Sequence, residues 1–140
     1  MPEKAFRELT IGLAINPEND TIKINLALHY QRQKEYKKAE EILKRLVLKN
    51  PKDIRASFRL GVLYKEIGRY EDAISAWNKA IEVAPGIPKL YEEVGNLYIS
   101  CLQDIEKGKY YYIKGIGAAS KSKLKEEELR WMVQDLECHQ

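Results

Sequence analysis

The chain has 140 residues, with 24 Lys and Arg against 21 Asp and Glu, a formal net charge of +3 and 44% hydrophobic residues. This composition is typical of a globular domain and argues against a disordered or collagen-like chain, and the small charge does not call for nucleic acid or an anionic membrane as partner. No apolar run approaches the length of a membrane span, and Met1–Lys4 lacks the apolar segment of a signal peptide, so we expect a cytoplasmic protein.

A fixed period runs through the sequence. Pro17, Pro51 and Pro85 are equally spaced, and their period of about 34 residues is typical of proteins built from stacked repeats. The middle unit has a pattern made of Ser57, Leu60, Gly61, Tyr64, Ala73, Trp77, Ala80 and Pro85. This pattern resembles the tetratricopeptide repeat in nearly every signature position, and the resemblance implies a pair of antiparallel helices per unit.

In chain order, the resemblance predicts five segments. Residues 1–19 are similar to the second helix of a repeat, since Ala5 and Leu9 precede Ala39 and Leu43 by one period. Residues 20–53 and 54–87 form two full repeats. Residues 88–122 form a third, with one extra residue near Gln103, and residues 123–140 form a C-terminal capping helix. The expected fold is one all-α domain over residues 1–140, a right-handed superhelical array of antiparallel helical hairpins with about eight helices.

Small residues recur at fixed places of the period. Gly61 and Gly95 stand in mid-helix, with Ala27 at the same place one unit earlier. Because glycine costs about 1 kcal/mol against alanine inside a helix, its repeated use predicts that two backbones approach closely there. Ala39, Ala73 and Gly108 are expected to play the same part on the second helices, and Gly115 and Gly117 to permit close packing.

The resemblance also implies where a ligand binds. In this family the concave face of the array is lined by the first helix of each unit. The matching positions that we expect to form a peptide-binding groove are Ile24, Asn25, Leu28, Arg55, Phe58, Arg59, Val62, Lys89, Asn96, Ile99 and, if the capping helix keeps register, Trp131.

The groove is expected to favour one kind of ligand. Ile24, Leu28, Phe58 and Val62 predict an apolar patch, and Arg55, Arg59 and Lys89 flank it. This favours a peptide segment with one or two large apolar side chains and an acidic neighbour. The alternative is that the apolar residues are covered within the protein.

One subgroup of this family grips the carboxyl ends of chaperone tails. The positions of its clamp hold Ile24, Leu28, Arg59, Lys89 and Glu93 here. Only Lys89 matches the clamp, and Glu93 would repel a carboxylate. Chaperone-tail binding is therefore not expected.

We expect the histidines, cysteines and clustered tyrosines to have structural rather than catalytic or ligand-binding roles. We expect His29 to pack, because Leu63 and Leu97 take its place in later units, and Cys101 to be a buried, inert thiol. Cys138 and His139 lack a second pair of ligands, so no metal site is predicted. Successive tyrosines at 110–112 cannot share one helix face. No catalytic residue, cofactor or nucleic-acid partner is expected.

The prediction is a non-enzymatic protein-interaction module or scaffold that binds a peptide segment of a partner protein. Two alternatives remain open. The chain is the recognition part of a larger enzyme or signalling protein, or it is a structural module that forms a homo-oligomer through the uncapped edge beside Ala5 and Leu9.

Overall fold

The protein is described here by a computed structural model that covers residues 2–121, with side chains for residues 3–118. Those residues form seven α-helices and no strand: α1 (Pro2–Ile15), α2 (Asp20–Arg32), α3 (Tyr36–Lys49), α4 (Ile54–Glu66), α5 (Tyr70–Val83), α6 (Pro88–Ser100) and α7 (Ile105–Lys121). The all-α prediction is confirmed. The expected eighth helix, residues 123–140 with Trp131, lies outside the described residues, as do Cys138 and His139.

The helices repeat with the period of the sequence. First helices begin at Asp20, Ile54 and Pro88, each one period after the last. Second helices begin at Tyr36 and Tyr70, and then one residue late at Ile105. The loop between α6 and α7 thus has one residue more than the equivalent loops before it, and the predicted insertion is confirmed.

The loops inside the hairpins share a left-handed residue. The next-to-last loop residue has a φ of 62° at Lys34, 83° at Gly68 and 53° at Gln103. A left-handed residue after a helix is a common way to end it, and glycine adopts that conformation most easily. A glycine at position 68 indicates this turn in the sequence, whereas Lys34 and Gln103 give no such indication.

The loops between hairpins provide the start of each first helix. Asn19 accepts a hydrogen bond from the Ile22 amide at 3.0 Å, and Asp53, at the same place one period later, accepts one from the Arg55 amide at 3.1 Å. The third equivalent residue, Ile87, has no such side chain, and Pro88 follows it at the first helical position. Both solutions deal with amides that lack a partner inside the helix.

The chain divides into two compact units, Met1–Arg69 and Tyr70–Gln140. In the first unit α1 packs on α2, α2 on α3 and α3 on α4, with Ala39, Leu43 and Leu63 almost fully buried. In the second unit α5 packs on α6 and α6 on α7, around Val94 and Leu97. In both units, helices that follow one another in sequence pack together, as expected for short-looped hairpins.

Two glycines bring α6 and α7 together. A Cβ added at Gly95 would overlap the Tyr112 ring and lie 3.1 Å from the Gly108 carbonyl oxygen, and one at Gly108 would overlap Ile99. The close approach predicted from the recurring small residues is therefore confirmed at this pair. Gly115 also packs closely, since its added Cβ would lie 3.1 Å from the Tyr91 Cβ, whereas a Cβ at Gly117 would meet nothing within 4 Å among the described residues. Within that part of the chain the expectation for Gly117 was wrong.

Candidate functional site

Seven of the predicted groove residues lie on α2 and α4 of the first unit. Two hydrogen bonds join these helices: the Arg55 guanidinium donates to the Thr21 hydroxyl at 3.0 Å, and the Gln31 amide donates to the Glu66 carboxylate at 3.0 Å. The first bond joins the helix starts and the second joins the helix ends. The two helices therefore run side by side in the same direction, with a strip of surface between the two bonds.

Half-buried apolar side chains occupy this strip. Leu28 on α2 and Phe58 and Val62 on α4 are each partly accessible, and we call these three residues the central patch. Asn25, beside them on α2, is exposed. Ile24 is only 7% exposed, so it belongs mainly to the core. Ile24 is therefore covered within the protein, which was the alternative to an exposed groove position.

Arg55 is committed to a residue of its own chain. Its guanidinium makes a two-point contact with the Asp53 carboxylate, with the shortest N–O distance 2.7 Å. The hydrogen bond from Arg55 lowers the pKa of Asp53 below its usual 3.8. The positive charge expected at this side of the groove is thus offset. Sequence reasoning missed Asp53, although an aspartate before a helix start and two residues from an arginine is a visible signal.

Arg59 is the cation that remains at the central patch. Its guanidinium carbon lies 6.0 Å from the centre of the Phe58 ring. No carboxylate lies within ion-pair distance of Arg59 among residues 3–118. The central patch therefore combines apolar surface with a positive charge beside an aromatic ring.

In the second unit, the predicted groove residues that the structure describes contact residues of the same unit. Lys89 forms an ion pair with Glu93 at 3.0 Å, and the hydrogen bond to this carboxylate raises the pKa of Lys89. The Tyr112 hydroxyl of α7 donates to the Asn96 amide oxygen. Ile99 fills the space over Gly108. The contacts of Asn96 and Ile99 hold α6 and α7 together, a role that sequence reasoning did not assign to them.

The histidine and tyrosines that were expected to have structural roles lie where the sequence predicted, but the cysteine does not. The His29 ring packs 5.2 Å from the Phe6 ring, which confirms a packing role. Tyr112 is buried, while Tyr110 is exposed. Cys101 is half-buried, so the expectation of a buried thiol was wrong.

The part of the chain that the structure describes contains no group of three His, Cys, Asp or Glu side chains arranged to hold a metal ion. None of its helices is both long and apolar enough to cross a bilayer.

Comparison with known proteins bears on the family and the fold. Two sequence profiles described as tetratricopeptide repeat match residues 1–57 and 54–86. A mouse protein, "Tetratricopeptide repeat protein 28", is 33% identical over 74 residues, which is 53% of this chain and 3% of that protein. The chain thus spans a very small part of this relative.

Solved structures of MamA have a similar fold. One crystal structure of MamA gives a TM-score of 0.74 at 22% identity, covering 86% of this chain and 70% of that one. A structure titled "MamA 41-end", from Desulfovibrio magneticus RS-1, gives 0.74 at 21% identity, covering 88% and 69%. At this identity the likeness concerns the fold.

These matches agree with the helix spacing and with the recurring small residues described above. They support, in general terms, a protein-interaction scaffold of the solenoid type. The chain belongs to the tetratricopeptide repeat family.

Proposed function

We propose that this protein is a non-enzymatic scaffold that binds a peptide segment of a partner protein on the α2–α4 face. The observation that carries the proposal is the strip between the Thr21–Arg55 and Gln31–Glu66 hydrogen bonds. These bonds fix two neighbouring helices at both ends while leaving the central patch partly accessible. A surface held in place before the ligand arrives loses less conformational entropy on binding.

The chemistry of the strip suggests its ligand. Leu28, Phe58 and Val62 offer apolar surface to one or two large apolar side chains. Arg59 offers a positive charge, whereas Arg55 and Lys89 are already paired with carboxylates. The ligand is therefore a segment with an apolar anchor and one acidic neighbour close to it, rather than a strongly acidic tail.

The test is an affinity pulldown from an extract of the source cells. Wild-type protein is compared with the double variant Phe58→Ala, Val62→Ala. We expect the partner captured by wild type to be lost from the double variant. Circular dichroism and thermal unfolding, measured on the same samples, report whether the fold survives.

The chain offers a matched control. Ile105 and Ile113 on α7 are apolar and exposed, and lie outside the strip. The variant Ile105→Ala, Ile113→Ala removes apolar surface of the same kind and is expected to keep the partner. Retention of the partner by the Phe58, Val62 variant, or equal loss from both variants, would refute the proposal. Unfolding of the Phe58, Val62 variant would assign Phe58 to the core. In that case Arg59→Glu, a substitution of a half-buried charged residue, tests the surface alone.

A second candidate function, self-association, has an observation in its favour. On α1, Ile11 is 53% exposed and Ile15 is 80% exposed. Exposed apolar side chains on one helix favour pairing with another copy. We expect light scattering to show a dimer that Ile11→Glu with Ile15→Glu converts to a monomer. A wild-type monomer at high concentration would remove this candidate.

A further inference from the structure

A cavity lies in the first unit, between α1, α2 and α3. It has a volume of about 230 Å³ and is lined by Leu13, Lys23, Leu26, Ile42, Arg45, Leu46 and Lys49. Leu26 and Leu46 are buried beneath it, and Leu13 and Ile42 are half-buried. A dry apolar cavity of about 150 Å³ is enough for a benzene-sized group. This cavity therefore has room for one large apolar side chain.

The charges around the cavity have one sign. Three of its lining residues are cationic and none is acidic. Lys49 is held by Glu18 at 3.2 Å and Asp20 at 3.0 Å. Within residues 3–118, neither Lys23 nor Arg45 lies within ion-pair distance of a carboxylate. Two positive charges thus stand beside an apolar cavity without an acidic partner.

The equivalent place in the second unit is built differently. There Tyr91 takes the position of Lys23, and Gly115 takes that of Leu46. A Cβ on Gly115 would lie 3.1 Å from the Tyr91 Cβ, and the Tyr91 hydroxyl donates to the Pro85 carbonyl at 2.8 Å. An aromatic residue and a glycine pack directly where the first unit has a cationic side chain beside leucines. The basic cavity is therefore a property of particular residues and not of the repeat itself.

We propose that this cavity is a second docking site, distinct from the α2–α4 face, for an acidic protein segment that inserts one leucine or phenylalanine. The apolar lining takes the side chain, and Lys23 and Arg45 attract carboxylates on either side of it. Charge complementarity decides the choice of occupant, because a purely apolar segment would leave both cations unused. Exposed charges are screened by salt, so binding weakens as ionic strength rises.

Fluorescence anisotropy with a short synthetic peptide tests this proposal on the full chain. The probe is a fluorescein-labelled peptide in which glutamates surround a single phenylalanine. A second probe has serine in place of the phenylalanine. We expect the first probe to bind the wild-type protein and the second to bind at least about tenfold more weakly, a factor that corresponds to about 1.4 kcal/mol.

Four variants locate the binding. Lys23→Glu with Arg45→Glu is expected to abolish binding of the first probe. The charge-matched control Lys37→Glu with Lys52→Glu changes exposed residues that do not line the cavity, and is expected to retain binding. Ile42→Phe fills the cavity without changing charge and is expected to weaken binding. The Phe58, Val62 double variant is expected to bind the probe normally, so failure here is distinguishable from failure of the α2–α4 proposal.

Four results would overturn the proposal. They are no salt-sensitive binding of the phenylalanine probe, equal loss in both charge variants, equal binding of the serine probe, or binding of a fluorescent fatty acid but not of the peptide. The last result would identify the cavity as a site for an anionic lipid instead.

Discussion

The first helices of the two units use the same repeat positions in different ways. Leu28 on α2 is half-buried within the strip, whereas Asn96, its equivalent on α6, accepts the hydrogen bond of Tyr112. Gln31 on α2 bonds to Glu66 on the neighbouring first helix, whereas its equivalent, Ile99, fills the space over Gly108. The second unit therefore uses these two positions for contacts with its second helix, α7, whereas in the first unit Gln31 contacts the neighbouring first helix, α4.

Gly108 accounts for much of this difference between the first helices of the two units. Its equivalents in the earlier hairpins, Ala39 and Ala73, carry a methyl group and are fully buried. The absence of a Cβ at 108 lets α7 approach α6 and gives Ile99 a place to pack. Tight packing within the hairpin leaves fewer side chains for recognition.

The largest expected effect on stability comes from a substitution that disrupts the close packing of α6 on α7. Gly95→Leu puts a side chain against the Tyr112 ring and the Gly108 carbonyl, and we expect it to lower the free energy of unfolding by about 3 kcal/mol through overpacking. Gly117→Ala lies on the same hairpin, and its Cβ would meet no other described residue within 4 Å, so we expect it to raise the free energy of unfolding by about 0.5–1 kcal/mol. Urea denaturation measures both. Equal tolerance of the two changes would contradict the close approach.

A smaller effect tests the role of Asn96. Asn96→Ala removes the acceptor of the Tyr112 hydroxyl, and we expect a loss of about 2 kcal/mol because this hydrogen bond between α6 and α7 is lost. Adding Tyr112→Phe removes that hydroxyl and is expected to recover part of the loss. A double-mutant cycle measured by urea denaturation gives the coupling. Strictly additive losses would show that the two side chains do not depend on each other.

The smallest expected effect on stability comes from Glu40, which lies in a network of charged and polar side chains in the first unit. Burial alone would raise the pKa of Glu40, but hydrogen bonds from Lys44, Tyr64 and Arg69 lower it below its usual 4.5. A lowered carboxyl pKa in the folded state stabilises the protein above the unfolded-state pKa, and this stabilisation is lost as the pH falls through the folded-state value.

We therefore expect Glu40→Gln to lower stability at neutral pH by about 0.5–1 kcal/mol, the range of partly exposed ion pairs. We also expect this variant to lose less stability than wild type on acidification below the usual pKa of Glu40. Thermal unfolding across an acidic pH series checks both points. Parallel pH curves for variant and wild type would contradict the network.

The fold was largely predictable from the sequence because the repeat is periodic. Prolines and small residues at constant spacing, with the family resemblance they carry, predicted the helices, the extra residue near Gln103 and the close approach of backbones at Gly95 and at Gly108. That these two glycines face each other was seen only in the structure. The turn at Lys34 was not predictable in the same way, because a non-glycine residue there adopts a left-handed conformation that its type disfavours.

The candidate site was less predictable, because a repeat position gives the face of a helix but not the neighbour that a side chain meets. The pairing of Arg55 with Asp53 and the burial of Ile24 depend on residues outside the groove pattern. The cavity between α1, α2 and α3 had no signal in the groove positions at all. Its residues lie on three helices and share no motif.

The most direct test of the account places a photo-crosslinking benzoylphenylalanine at Val62, in the central patch, or at the exposed Ile113 on α7. Each protein is mixed with the captured partner and irradiated. We expect crosslinking from position 62 and little from position 113. Crosslinking from 113 alone, or equally from both, would contradict recognition on the α2–α4 face.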